Sequence, residues 1–532
     1  MTKKFLNVLK IEKRFQMCFT KFALGVVVCS LLVLAACNEP EIAAFTPEKG
    51  PVGTEVTITG ENFKAIPAEN TVKFGGTAVP TADIITASPT EIKVKVPAEA
   101  ATGLISVTTS NGTGYSKKDF IVETPPVPKW TFLVYLDADN NLERAGIGDF
   151  LEMASVGSSP GVNIVVQMDR VPGHSNAYGN WTGTRRFLIK KNDEPDVPPL
   201  KDLGEKNMGD PEVLRDFVEW GVTNYPAEHY AVVIWNHGDG WRPMPELQKR
   251  LSRKARSLGK PDPGVVKAVA SDDTDGDILY MKEVQTALET AKNHLKESVD
   301  KFEKFDIVGF DACLMGMVEV AYAVRNVTDY LVGSEESEPG NGWPYDKILQ
   351  ALAATPTLSP NALAGTIVTE YVDSYPPPYD KGITQSAVDI SKLINLVDKI
   401  NTFTSKATAE WSVLKTARLN SRQYHPPGYS VFWGVDLGDF ADKVYNTVTT
   451  ADIKAAALDL NNAINDFVIK ERHSSDMTGT HGIAIYFPPD KNAFDNDPQH
   501  TGYEESNTYM PVDFVLFETW DNWLKDFYSN IP

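Results

Sequence analysis

The chain of 532 residues carries four cysteines, Cys18, Cys29, Cys37 and Cys313. The first two fall in a segment read below as a removable signal, so a disulfide framework is excluded as a stabilising device. There is no Cys/His cluster at zinc spacing and no H-E-x-x-H, which removes the usual zinc peptidase and zinc-module readings. Basic charge is short as well: 51 Lys and Arg stand against 71 Asp and Glu, a net charge of −20 at neutral pH. That balance excludes nucleic acid as a partner, because binding phosphates needs a basic face. Beyond residue 36 no apolar run is long enough to span a bilayer.

What the N-terminus does have is a targeting pattern, residues 1–37. Lys3, Lys4, Lys10, Lys13, Arg14 and Lys21 precede the apolar run Phe22–Ala36, which ends in Leu34-Ala35-Ala36-Cys37. Small residues just before a cysteine resemble a bacterial lipobox, in which Cys37 is lipidated and becomes the mature N-terminus. The alternative is an uncleaved signal-anchor helix, and Met17 is an alternative start. Lipidation at Cys37 would tie the protein to a membrane in the cell envelope, with the outer membrane or cell surface as the expected place. It would also leave Cys313 as the one unpaired thiol of an exported protein, which points to a reactive cysteine.

The remaining chain divides by pattern. Residues 38–44 read as a tether. Residues 45–123 are all-β, with short alternating segments such as Glu55–Thr59 and Thr71–Phe74 set apart by Gly50-Pro51, Gly75-Gly76 and Asn111-Gly112. The run P-x-x-G-P-x-G-T-x-V-T-I-x-G-x-x-F from Pro47 resembles an immunoglobulin-like IPT/TIG module, for which a spacer role is expected. Residues 124–129, with three prolines, read as a stiff linker. From Trp130 to the C-terminus strands alternate with helices, which predicts an α/β fold with a mostly parallel sheet flanked by helices. Past about residue 361 helices dominate, as an extension packed on the same sheet.

Two stretches of this α/β region carry chemistry. Phe305–Phe310 reads as a buried strand, followed by Asp311, Ala312, Cys313 and a predicted helix Leu314–Val324. A thiol where a strand turns into a helix lies at the edge where open α/β sheets bind ligands, and a helix N-terminus would favour the thiolate. In Tyr230–Trp241, Y-A-V-V-I-W-N-H-G-D-G-W, His237 leaves a second strand end in the same way. If the strands are parallel neighbours, His237 can take the proton of Cys313 and return it to a leaving amine. The N–H of Gly238 can face an oxyanion. Asp311, two residues before the thiol, has two readings: a carboxylate facing a cationic substrate side chain, or the N-cap of the following helix. Asp272, Asp273, Asp275 and Asp277 offer hard oxygen ligands suited to calcium, though not at EF-hand spacing, or equally a solvated turn before helix Met281–Lys296.

W-N-H-G-D-G-W and F-D-A-C-L-M-G resemble the signatures of the clostripain family of cysteine peptidases. Matching pieces in the same order are residues 130–143, 271–277, 333–345 and 481–488. The resemblance implies a caspase-like core, a His237/Cys313 dyad, and an oxyanion held by the N–H groups of Gly238 and Cys313. It also implies a preference for Arg or Lys before the cut, set by Asp311. Glu335 and Glu336 are second candidates for the pocket wall, against the reading of solvated loop charge. The substrates would be proteins or peptides bearing Arg or Lys. The chemistry requires no cofactor, while family members are often stimulated by calcium. Between the two motifs, residues 242–263 crowd Lys249, Arg250, Arg253, Lys254, Arg256 and Lys260 into an otherwise acidic chain. A solvated basic loop is one reading. Self-cleavage after Arg or Lys within 249–260 is the one the resemblance favours. The rival to an enzyme is a catalytically silent lipoprotein that holds peptides or glycans on the same scaffold.

Overall fold

The computed structural model describes residues 39–123, 127–241, 269–424, 433–497 and 512–531. Cys37, the linker residues 124–126, and Lys249, Arg250, Arg253, Lys254 and Arg256 lie outside them. The chain forms two compact units divided after Pro126. No helix among the described residues is long and apolar enough to cross a membrane.

The first unit is a β-sandwich. One sheet pairs Glu41–Thr46, Glu55–Glu61, Glu91–Lys95 and Ile84–Ala87; the other pairs Lys49–Gly50, Gly112–Val122, Gly103–Thr109, Thr71–Phe74 and Thr77–Ala78. Alternation explains the packing: Val56, Ile58, Ile92 and Val94 of one sheet meet Val72, Phe74, Ile105, Val107 and Phe120 of the other in one core. Phe74 and Phe120 meet edge to face at 5.0 Å. The first strand begins at Glu41, so the segment read as a tether is already paired from there on.

The second unit is built on a nine-stranded sheet. Its order is Lys201–Gly204, Gly183–Leu188, Val162–Arg170, Trp130–Ala138, His229–Trp235, Phe305–Asp311, Thr328–Gly333, Thr384–Asp389 and Val468–His473. The five strands from Val162–Arg170 to Thr328–Gly333 run parallel, and antiparallel strands flank them on both sides. Alternate residues of each central strand serve opposite faces. Leu133 and Tyr135 pack with Val232 and Ile234 against helices Pro211–Asn224 and Met281–Ser298. Phe132, Val134 and Leu136 pack with Ala231, Val233 and Trp235 against helices Glu143–Val156, Tyr345–Ala354 and Pro360–Asp373. Burial on both faces is why these strands read as unbroken apolar runs. The C-terminal extension adds the last two strands to this sheet; its helix Pro360–Asp373 packs in the second of these cores and its later helices in the first.

Candidate active site

Trp235 and Asp311 are register partners, so strands His229–Trp235 and Phe305–Asp311 end level with each other. The chain leaving Asp311 turns through Ala312, Cys313 and Leu314 and enters helix Val318–Val324 only afterwards. The helix predicted from Leu314 therefore starts late. With it go the helix N-terminus at the thiol and the N-cap reading of Asp311. The turn is tight: Leu314 holds the left-handed region at φ 66°, a conformation that costs a non-glycine residue about 1 kcal/mol or more. Its burial and an N–H donated to the Glu336 carbonyl, at 3.1 Å, keep it there. This turn presents a half-buried Cys313, whose Sγ accepts from the Glu338 N–H at 3.3 Å and faces the Glu338 carbonyl at 3.8 Å.

The histidine turn is fitted against the cysteine turn. A Cβ on Gly238 would stand 2.1 Å from the Cys313 carbonyl oxygen and 2.8 Å from its nitrogen. Only a glycine lets the two backbones touch. His237 Nε2 meets Asn141 Oδ1 at 2.9 Å, and the His237 N–H is held by the side chain of Asn236. His237, Asp311, Cys313, Glu338, Gly340 and Gly342 share one cleft of about 170 Å³. A larger cavity, about 730 Å³, opens at the amino ends of the strands beside His229 and Phe302, away from this cleft.

The cleft has an acidic floor. Asp311 is buried and its Oδ2 accepts from the Trp343 N–H at 3.2 Å and the Tyr345 hydroxyl at 2.9 Å. Gly342, at φ 58°, brings its backbone so close that a Cβ would lie 2.9 Å from the Asp311 carboxylate. Glu338 Oε1 accepts from Gln385 Nε2 at 3.2 Å, and its Oε2 is shut off from solvent beside the Asp311 carboxyl. Burial pushes the Asp311 carboxyl up to about 6. Burial, and then the neighbouring Asp311, push Glu338 well above the usual carboxylate range. Asp149, which accepts from Trp235 Nε1 at 2.6 Å, is raised by burial and by Asp311. Like charges this close do not all ionise without a cation among them.

Glu335 and Glu336, expected at the pocket wall, do not line the cleft. Glu335 is fully buried, and Glu336 turns its carbonyl to Leu314. Glu338, in the same 333–345 motif, lines the cleft. Asp239 and Trp241, which follow His237 in its motif, are core residues: both are buried, and Trp241 meets Tyr486 edge to face at 5.2 Å. Glu338 and Asn141, which no spacing in the sequence ties to the thiol, stand inside the 333–345 and 130–143 motifs.

The acidic run at 272–277 is only partly brought together. Asp272 and Asp275 converge with Glu205, and Glu205 in turn with Asp139 and Asp169, with ligand oxygens within 4.8 Å in each group of three. Asp273 and Asp277 are in neither group; Asp277 Oδ2 accepts from Asn207 at 2.8 Å. Burial drives Asp169 up to about 9, Asp272 to about 8 and Glu205 to about 7. Asp139 Oδ2 is buried with no partner. An all-oxygen, like-charged set with an orphaned carboxylate oxygen fits a hard divalent cation.

Family models place residues 134–530 in the clostripain family and residues 40–122 in the IPT/TIG domain. The chain is 33% identical over 251 residues to clostripain of Hathewaya histolytica, a match covering 42% of each protein. It is 41% identical over 83 residues to a cyclomaltodextrin glucanotransferase of Paenibacillus macerans, covering 16% of this chain and 11% of that one. Among solved structures it is similar to a secreted C11 cysteine protease from Bacteroides thetaiotaomicron in complex with an irreversible peptide inhibitor. The identity there is 21%, with 74% of this chain and 99% of that one covered and a TM-score of 0.52. A structure of a secreted C11 cysteine protease, iotapain, from the same organism gives 20%, 75% and 100%, and 0.50. At these identities the likeness is one of fold. The matched stretch spans less than half of the curated clostripain.

Proposed function

The chain belongs to the clostripain family, and from that premise we propose that it is a cysteine endopeptidase cutting after Arg or Lys. The observation that carries the reading is the contact of the Gly238 and Cys313 backbones above two buried carboxyls. A thiol, an imidazole and two carboxyls that line one cleft support it.

In this mechanism Cys313 Sγ attacks the carbonyl carbon of the scissile bond while His237 holds the thiol proton. The N–H groups of Gly238 and Cys313 face the oxygen that becomes negative. As the C–N bond breaks, His237 gives its proton to the leaving nitrogen, and a thioester remains. Water, relieved of a proton by His237, then hydrolyses the thioester and frees Cys313. The side chain before the cut enters between Asp311 and Glu338, whose shared proton a guanidinium or ammonium displaces. The test is a set of fluorogenic peptides differing only in that residue, run with wild type and Cys313→Ala. Cleavage confined to Arg and Lys peptides and lost in Cys313→Ala is expected; full activity in Cys313→Ala refutes the assignment.

Calcium is proposed as a structural ion held where two groups of carboxylates meet at Glu205, Asp139 with Asp169 and Asp272 with Asp275; the chemistry itself needs no cofactor. A calcium-dependent rise in melting temperature, lost in Asp272→Asn, is the expected readout, and equal melting with calcium and with chelator contradicts it. Export and anchoring through lipid on Cys37, in the cell envelope, rest on the N-terminal pattern. Cys37→Ser should leave the protein unanchored or its signal uncleaved; a cleaved, lipid-free protein still on membranes would exclude this.

A further inference from the structure

Strand Trp130–Ala138 stands between Val162–Arg170 and His229–Trp235, and the chain passes first to the one and later to the other. The order of the sheet therefore reverses at the edge where Asn141 and His237 emerge, the place where open α/β sheets bind their ligands. Each of these two residues follows a buried asparagine, Asn140 and Asn236. The two buried amides converge on the same pair of carbonyl oxygens. Asn140 Nδ2 donates to Asp137 O at 3.1 Å and Ser271 O at 3.0 Å. Asn236 Nδ2 donates to Asp137 O at 2.9 Å and Ser271 O at 3.2 Å. Their amide oxygens grip the adjoining backbone: Asn140 Oδ1 accepts the Leu142 N–H at 2.8 Å, and Asn236 Oδ1 accepts the His237 N–H. The backbone on either side of Asn141 and the backbone entering His237 are thus tied to common points. The side chains that follow the two clasps meet, His237 Nε2 to Asn141 Oδ1 at 2.9 Å.

We propose that Asn141 is a positioning residue for His237: its amide oxygen accepts the Nε2–H of the imidazole, orients the ring toward the cysteine turn, and supports the ring when it carries two protons. The inference rests on the reading of His237 as the base of the reaction. The chemistry follows from the bond. An amide oxygen has no hydrogen to give, so the facing ring nitrogen must be the donor. In neutral His237 the lone pair is then at Nδ1, the atom that takes the thiol proton and hands it to the leaving nitrogen. In the imidazolium the same oxygen receives a charge-assisted hydrogen bond, stronger than a neutral one. An exposed asparagine would gain little from a wandering contact. Here the clasps hold the backbone beforehand, so only its own side-chain torsions need be fixed.

Asn141→Ala and Asn141→Asp provide the test, since the first removes the acceptor and the second gives it a charge. In Asn141→Ala, kcat should fall about ten- to a hundredfold, the rate equivalent of one hydrogen bond to a charged ring, with KM little changed. The limb of the pH–rate profile that reports the imidazole should move to lower pH in Asn141→Ala and to higher pH in Asn141→Asp. Histidine titration by NMR in the Cys313→Ala background should show the same opposite displacements of His237, without any need for turnover. A wild type that neither cleaves nor labels at Cys313 would defeat the catalytic reading, while the titration still decides the role of Asn141. Imidazole titrations that superimpose in all three proteins would overturn the proposal.

Discussion

Gly238→Ala is the smallest change that separates a fitted dyad from two turns that happen to be near. A Cβ at this position would lie 2.1 Å from the Cys313 carbonyl oxygen, 2.8 Å from its nitrogen and 3.0 Å from its carbonyl carbon. All three are backbone atoms, so no rotamer change can relieve the contact, and an ordinary approach requires more than 1 Å of separation between the turns. Overpacking of this kind costs about 1–3 kcal/mol. The neighbouring turn cannot yield freely, because Leu314 is already held in the left-handed region beneath Glu336. Displacing reacting groups by about 1 Å costs about a hundredfold in rate. Gly238→Ala should therefore lose about two orders of magnitude in kcat while remaining folded. The matched control is Gly148→Ala, in helix Glu143–Val156, where an added Cβ meets nothing within 4 Å. That change should leave kcat unaltered and stabilise the protein by up to ~1 kcal/mol, the helix preference of Ala over Gly. Steady-state kinetics with a fluorogenic Arg peptide and thermal melting of the three proteins are the assays. Gly238→Ala with kcat within threefold of wild type would refute the argument that these backbones are in catalytic contact.

Asp311→Asn and Glu338→Gln should each raise KM for Arg peptides by about ten- to a hundredfold, the worth of one charged hydrogen bond, whereas Glu336→Gln should not; equal effects at Glu336 would move the pocket wall. Asp311 is held at about 6, so its ionised fraction grows as pH rises through that value, and KM for Arg peptides should fall between pH 5 and 7; a flat KM would remove Asp311 from cation binding. Asp139, Asp169, Glu205 and Asp272 hold protons in the fold that the unfolded chain has already lost, so without metal the fold loses stability as pH rises from about 4 toward 9. Calcium displaces those protons, and the melting temperature it adds should be larger at pH 8 than at pH 6; the reverse order would exclude these ligands. Purified wild type should be cut within 249–260 and Cys313→Ala should not, as read from fragment termini by mass spectrometry; equal nicking of both would assign the cut to another protease.

The sheet was legible because its central strands are buried on both faces and punctuated at their ends, so Pro211–Asn224 and the His237 strand could be placed from pattern alone. The start of the helix after Cys313 was not. Leu314, Met315 and Met317 are as apolar as the helix that follows, and no periodicity marks where the turn stops. Asp311 could be singled out because it stands two positions before the thiol, at the end of the same strand. Glu338 and Asn141 could not, since a loop and a different strand bring them to the site through space. The same holds for the candidate cation set: Asp272 and Asp275 are neighbours in sequence, but Asp139, Asp169 and Glu205 arrive from other strand ends, and Asp273 and Asp277 belong to neither group.

The most direct test of the central claim is labelling with a peptide that ends in Arg and carries a thiol-reactive warhead, followed by mass mapping of the full chain. One label per chain, on Cys313, slowed by orders of magnitude in His237→Ala and abolished when the Arg is replaced by Glu, is the expected result. Labelling that is indifferent to His237 and to the Arg would mean an accessible thiol rather than a peptidase nucleophile, and would contradict the account.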